Sequence, residues 1–413
     1  MNSIQHKATK WYLVLIALLD FMGLGVVVTI FPHMLFEGNL LPPGWDHNTR
    51  LTALGIFLAI YPLGQFFGAS ILGKLSDIYG RKKLMVFTLI GTCCAFVSSG
   101  IAVIAGSALI LLLSRAVAGI FAGNVAIAQA SMSDISNDNE KTKNLTLIQM
   151  ALGLAWVFGP PLGGWVSEIS LFNQSGFVTS FWLMAALLLI TLIYTIFFYK
   201  ETLIHLTTHE KVHPLSGIAQ IAESFINKDL RLPFIVWTIF VAGWWLFEAF
   251  LPVYLLKRFN FSSGDIGNFL ASMGATYALF QYFIVNKVAK HIKPEIMVKS
   301  SLVVSAIAVI GIAFVNDKIQ LHIVITLFVT SMGFALPGLI SSISNLASKE
   351  HQGKIMGNIS STQAFATVLM MMIGGYLDNL GMTITIIGGG ILLFISWVIF
   401  TALVKAQAIN TIE

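Results

Sequence analysis

Apolar runs of about 20 residues recur along this entire 413-residue chain, the length an α-helix needs to cross the hydrocarbon core of a bilayer. Twelve such helices are predicted, over 11–35, 51–72, 84–104, 108–132, 145–166, 178–199, 233–256, 266–285, 300–315, 321–346, 355–377 and 382–404. Only 10% of the residues are charged, against about 25% in soluble domains. The first run is too long for a cleaved signal peptide and lacks a small-residue cleavage site. The fold class expected is therefore all-α and integral to a membrane.

The net charge of +5 invites a nucleic-acid reading, but the positions of the basic residues oppose it. With the N-terminus placed in the cytoplasm, one set of loops collects Lys7, Lys10, Lys74, Arg81, Lys82, Lys83, Lys141, Lys143, Lys200, Lys211, Lys228 and Arg231. The same side collects Lys287, Lys290, Lys293, Lys299, Lys349, Lys354 and Lys405. The opposite side has only Arg50, Lys257, Arg258 and Lys318, and Arg115 lies within a helix. This asymmetry predicts both termini in the cytoplasm. Cys93 and Cys94 are neighbours in the third helix and point about 100° apart, so they read as small packing residues rather than a disulfide.

The longest polar stretch, 200–231, divides the chain into six-helix segments at 1–199 and 232–413, with 200–231 as a cytoplasmic linker. Faint repetition supports the division. Gly159-Pro160-Pro161-Leu162-Gly163-Gly164-Trp165 is echoed by Met371-Met372-Ile373-Gly374-Gly375-Tyr376. The expected architecture is two pseudo-symmetric six-helix bundles.

One polar loop interrupts the apolar sequence: Gly73-Lys74-Leu75-Ser76-Asp77-Ile78-Tyr79-Gly80-Arg81-Lys82-Lys83. Asp77 and Arg81 are four residues apart and can reach each other if the turn is helical. The plainer alternative is an ordinary positively charged cytoplasmic loop. The eleven residues resemble the G-x-L-[SA]-D-[RK]-x-G-R-[RK]-[RK] signature of the major facilitator superfamily. That resemblance implies a secondary transporter with parallel repeats and a substrate site near the midplane between them. It also implies a latch at the cytoplasmic ends formed by Gly73, Asp77, Gly80 and Arg81, joined by Asp134 at the end of the fourth helix.

Three charges lie inside helices: Asp20, Arg115 and Glu248. Each costs roughly 2.5–3.5 kcal/mol at mid-bilayer on insertion scales, so each needs a partner or a task. Asp20 lies in Leu19-Asp20-Phe21-Met22-Gly23-Leu24-Gly25, and Arg115 in Ser114-Arg115-Ala116-Val117-Ala118-Gly119. Both stretches resemble motifs of the twelve-helix drug:proton antiporter branch. The resemblance implies that Asp20 loads and releases a proton beside Arg115. A static buried pair is the alternative, although apolar residues could replace such a pair at little cost.

Trp237, Val241, Trp244 and Glu248 share one helical face, which suits a cationic or amphipathic substrate. An interfacial tryptophan belt is the other reading. Gly153, Gly159, Pro160, Gly163 and Gly164 resemble the fifth-helix antiporter signature G-x-x-x-G-P-x-x-G-G, with Ala155 in place of its inner glycine. In the family that signature marks exporters more than importers.

The likeness to tetracycline-exporter-like antiporters covers most of the chain. The Cys93-Cys94-Ala95 region stands where those exporters have an acid, and Tyr277, with Gln281 one turn on, where they have a histidine. Tetracycline itself is therefore not the expected substrate. Trp244, Glu248, Tyr277 and Gln281 are the candidate substrate contacts.

His209-Glu210-Lys211-Val212-His213 spells the H-E-x-x-H of zinc peptidases, but that chemistry needs a stable helix, a third ligand and a cleft, and Pro214 disfavours helical geometry at His213; a solvated linker is the plainer reading, with weak binding of a stray metal ion by His205, His209 and His213 if the segment is helical. The expectation is thus a proton-coupled exporter of a small amphipathic molecule, working as a monomer in a bacterial inner membrane. No enzyme activity, cofactor, metal or nucleic-acid partner is expected. The alternatives are an importer or a metabolite or siderophore carrier on the same fold, a membrane zinc peptidase, and a non-transporting receptor.

Overall fold

A computed structural model describes residues 3–38, 40–170, 175–203, 216–288, 291–344, 346 and 352–410. Every regular element among them is helical. The helices are α1 (Ser3–Phe36), α2 (His47–Tyr79), α3 (Arg81–Ile104), α4 (Ala108–Ile120), α5 (Asn124–Asp134), α6 (Asp138–Ser167), α7 (Gly176–Phe197) and α8 (Ser216–Ile226). They continue with α9 (Lys228–Phe259), α10 (Ser263–Phe280), α11 (Asn286–Val288), α12 (Pro294–Ile312), α13 (Lys318–Ser344), α14 (Gln352–Leu377) and α15 (Ile384–Asn410).

The chain is an integral membrane protein, and among the described residues ten helical stretches are long and apolar enough to span a bilayer. The segments predicted at 266–285 and 355–377 fall outside that count. The first corresponds to α10, which opens on Ser263-Gly264-Asp265 and gives way at Gln281–Val285 to a π-helical turn. The second corresponds to α14, whose first half carries Asn358, Ser360, Ser361, Thr362 and Gln363. The predicted helix at 108–132 is broken into α4 and α5 at Phe121, Ala122 and Gly123.

Two compact units form, and their boundary falls inside α2 and α10. The first comprises Met1–Trp45, Ile60–Leu215 and Phe261–Gly274. Its helices meet backbone to backbone at glycines. A Cβ added at Gly159 would lie 2.8 Å from the Met22 carbonyl oxygen, and one at Gly163 would lie 2.7 Å from the Val26 Cα, so α1 and α6 can approach only because both positions lack side chains. Gly68 faces the Ile120 carbonyl and Gly119 the Tyr61 carbonyl, which brings α2 against α4. Gly267 on α10 meets the Pro160 carbonyl of α6 in the same way, at 2.5 Å.

The second unit comprises Asp46–Ala59, Ser216–Asn260 and Ala275–Glu413. Phe234, Trp237, Phe240, Phe247 and Phe250 of α9 are all fully buried. Gly243 of α9 and Gly389 of α15 would each place a Cβ 2.7 Å from the other's carbonyl oxygen. The first turns of α2 pack on the end of α14, where a Cβ at Gly375 would lie 2.7 Å from the Leu51 carbonyl.

The glycines of α6 are not equivalent. Gly163 is pressed against backbone, which cannot yield, whereas a Cβ at Gly153 meets nothing within 4 Å. Gly163→Ala is expected to destabilise by about 1–3 kcal/mol through overpacking. Gly153→Ala is expected to be neutral or stabilising by up to about 1 kcal/mol through helix propensity. Thermal unfolding of the two purified variants checks the contrast.

Candidate functional site

Asp20 lies on α1 in the first unit. Its Oδ1 accepts a hydrogen bond of 2.8 Å from Asn124 Nδ2. Asn124 is the first residue of α5 and is fully buried. Its own Oδ1 accepts from Thr88 Oγ1 on α3 at 2.5 Å. The break between α4 and α5 places Asn124 at a helix start, and a relay Thr88–Asn124–Asp20 joins three helices. Sequence reasoning missed Asn124 and Thr88; the signal was an amide inside an apolar run.

Arg115 of α4 does not pair with Asp20. Among the described residues no carboxylate forms an ion pair with its guanidinium. Instead Nη2 donates to Ser99 Oγ at 2.7 Å and to the Ala95 carbonyl at 3.3 Å, and Nε donates to Ser99 Oγ at 3.1 Å. The guanidinium also lies 4.5 Å from the Phe96 ring centroid and 5.3 Å from that of Phe181. Carbonyl, hydroxyl and ring faces thus replace the expected counter-charge. Tyr61 on α2 is within electrostatic reach of both Asp20 and Arg115.

The loop at 73–83 brings its predicted residues together. Arg81 Nη2 lies 2.6 Å from Asp77 Oδ1, and Nε lies 2.9 Å from Asp134 Oδ2. Arg81 Nη1 also donates to Ser76 Oγ at 2.5 Å. Gly80 has φ +95°, a conformation that side chains rarely adopt, and separates α2 from α3. Gly73 has open space around it. Glu201, which sequence reasoning passed over, accepts from the backbone N–H of Arg81 at 2.9 Å and of Lys82 at 3.0 Å. A carboxylate there satisfies orphan donors at the start of α3 and complements the helix dipole.

In the second unit, the rings of Trp237, Phe240, Trp244 and Trp245 follow one another along α9. Glu248 is half-buried and accepts from Trp244 Nε1. Tyr277 is half-buried on α10, and Gln281 opens the π-helical turn. Such turns recur at functional sites. Among the buried polar atoms of this unit that lack a hydrogen-bond partner among the described residues are Trp245 Nε1, Gln281 Oε1, Asn358 Oδ1 and Thr362 Oγ1. Asn358 and Thr362, one turn apart on α14, were not anticipated. An unmet buried polar group costs roughly 1–3 kcal/mol, a cost that polar atoms of a ligand would offset.

The H-E-x-x-H segment at 209–213 lies outside the described residues. Among the described residues no cluster of metal-ligating side chains forms.

Three comparisons place this arrangement. The family model of the Major Facilitator Superfamily matches residues 13–332 and 234–410. The chain is 25% identical over 360 residues to the class B tetracycline resistance protein of Escherichia coli, covering 86% of this chain and 84% of that one. It is 26% identical over 351 residues to the quinolone resistance protein NorA of Staphylococcus aureus (strain COL), covering 83% of each. A bacterial homologue of the human lysosomal transporter Spinster, solved inward-facing and unoccupied, superposes with a TM-score of 0.79 at 11% identity over 97% of both chains. With its fold matched and its family model spanning nearly the whole sequence, the chain belongs to the major facilitator superfamily.

Proposed function

We propose that this transporter exports a small amphipathic molecule in exchange for protons, and that Asp20 carries the proton. The observation that supports this most is the setting of Asp20: a carboxylate inside the membrane, held by the neutral amide of Asn124 and by no cation among the described residues. A neutral donor can hold either protonation state, because Asn124 can turn its oxygen toward a protonated carboxyl. A permanent ion pair would lock the charged state. Arg115, satisfied elsewhere, does not fix the carboxylate.

The resistance names of the relatives support efflux over import. The aromatic face of α9 and the unmatched polar groups near it suit a ligand with a flat apolar body and a few polar atoms. Trp244, Glu248, Tyr277 and Gln281 are assigned to substrate contact, with Asn358 and Thr362 added. Cluster Asp77–Arg81–Asp134, with Glu201 behind it, is assigned as the latch of the cytoplasmic ends.

Topologically we assign twelve crossings in two six-helix repeats, 1–199 and 232–413, with α10 and α14 as the eighth and eleventh. Both termini and the 200–231 linker face the cytoplasm of a bacterial inner membrane. The protein acts as a monomer, moving its ligand rather than converting it.

Proteoliposomes with an imposed pH gradient test the coupling, with a fluoroquinolone as the first probe. Asp20→Asn is expected to lower gradient-driven accumulation to the level of empty vesicles while downhill exchange persists. If Asp20→Asn still concentrates the probe, another group carries the proton. For the latch, Asp134→Asn and Glu201→Gln are each expected to slow turnover several-fold while membrane insertion is unchanged; unchanged turnover in both would remove the assignment.

A further inference from the structure

At the outer end of the second unit a buried carboxylate stands at the meeting of four elements. Asp378 begins the single 3-10 turn Asp378–Leu380 between α14 and α15 and is 5% exposed. Its Oδ1 accepts from Thr385 Oγ1 of α15 at 3.1 Å. Its Oδ2 lies 3.7 Å from Lys257 Nζ of α9, beyond hydrogen-bond range, and is buried without a hydrogen-bond donor among the described residues. The next residue, Asn379, donates from Nδ2 to Thr52 Oγ1 of α2 at 3.1 Å. Just below, Gly55 of α2 and Gly375 of α14 pack backbone on backbone, with a Cβ at either 3.0 Å from the other's Cα. The turn that Asp378 anchors is thus the turn that ties α2, of the first repeat, to α14, of the second.

We propose that Asp378 is a proton-operated lock on the outer closure between α2 and α14, tightened by acid. The inference rests on the alternating-access reading above, in which these outer ends must part to release substrate.

The direction follows from burial. In the packed state burial pushes the Asp378 carboxyl up to about 6, against the pull of Lys257 and of the Thr385 hydroxyl. When α2 leaves and water reaches the turn, burial no longer acts and the carboxyl returns toward its usual range. Proton binding is tighter in the packed state, so protonation favours packing and a rise of pH through about 6 loosens it. That suits an exporter: a proton taken from the outside would close the outer side behind departed substrate. The groups facing this site are Lys257 from α9, with Arg258 beside it donating to Asn316 at 2.7 Å, and His47 from α2, which feels Lys257, Asp46 and Arg50. From α15 the facing group is Thr385. Burial, with Lys257 and Arg50, holds the His47 imidazole below its usual range, and its contribution must be separated by variants.

The test is a pulsed electron-resonance distance between spin labels at Asn48→Cys and Leu380→Cys, in a Cys93→Ala, Cys94→Ala background, in lipid nanodiscs. Both labelled positions are exposed. The packed-to-open ratio is expected to rise roughly tenfold from pH 7 to pH 5, as one proton allows. Asp378→Asn should hold the packed distance at every pH, and Lys257→Gln should move the midpoint to higher pH. His47→Gln should retain the wild-type response. The lock is overturned if the wild-type ratio is unchanged, or falls, between pH 7 and pH 5 while a wedge, Gly375→Trp, lengthens the distance. It is likewise overturned if Asp378→Asn keeps the wild-type response. A distance that neither pH nor Gly375→Trp changes would overturn the alternating-access reading as well.

Discussion

Inside a bilayer no water is at hand to solvate a charge, so each ionised side chain there depends on the donors and acceptors that neighbouring helices bring to it. Asp20 and Arg115 meet this constraint separately. The arginine is satisfied by Ser99, the Ala95 carbonyl and two ring faces, all supplied by α3 and α7. The carboxylate is satisfied by one amide from α5. If Asp20 carries the proton, as proposed, separation lets that proton come and go without stranding a buried guanidinium, which breaking a direct pair would do at about 3–5 kcal/mol.

That arrangement needs helices close enough for short side chains to reach across. Glycines provide the approach: Gly159 and Gly163 bring α6 onto α1, and Gly68 and Gly119 bring α2 onto α4. The break after Ile120 then starts α5 afresh and turns Asn124 inward. Packing without side chains also suits surfaces that must slide, because two smooth backbones part without unlocking interdigitated residues. The same device recurs where Gly55 meets Gly375, beneath the Asp378 turn.

Much of this was legible in the chain itself, for physical reasons. Hydrophobic run length reports bilayer crossing directly, so ten of the twelve predicted crossings were readable from it, while the polar starts of α10 and α14 leave those two short of the criterion. The contact of Asp77 with Arg81 was readable because residues four apart on a helical turn can meet, whereas Asp134 was expected from the family resemblance alone. Other contacts join residues far apart in sequence and leave no local period. Glu201 lies 120 positions from the backbone it holds at Arg81, and Asn124 lies 104 from Asp20. The Asp20–Arg115 pair was expected because both stretches resemble motifs of the drug:proton antiporter branch, with two buried opposite charges as natural partners. Nothing in a linear sequence says that Phe96 and Phe181 stand nearer to the guanidinium. The glycines of α6 look alike in sequence, and only the neighbouring backbone distinguishes Gly163 from Gly153.

The claim on which the rest turns is that Asp20 changes protonation within the membrane while Asn124 holds it. Infrared difference spectroscopy of the reconstituted protein, between acid and alkaline buffer, reads this directly as the carbonyl stretch of a protonated carboxyl that disappears as the pH rises. The account predicts a component of that signal, distinct from the one Asp378 supplies, that is lost in Asp20→Asn and displaced in Asn124→Ala. A spectrum unchanged by Asp20→Asn would contradict it.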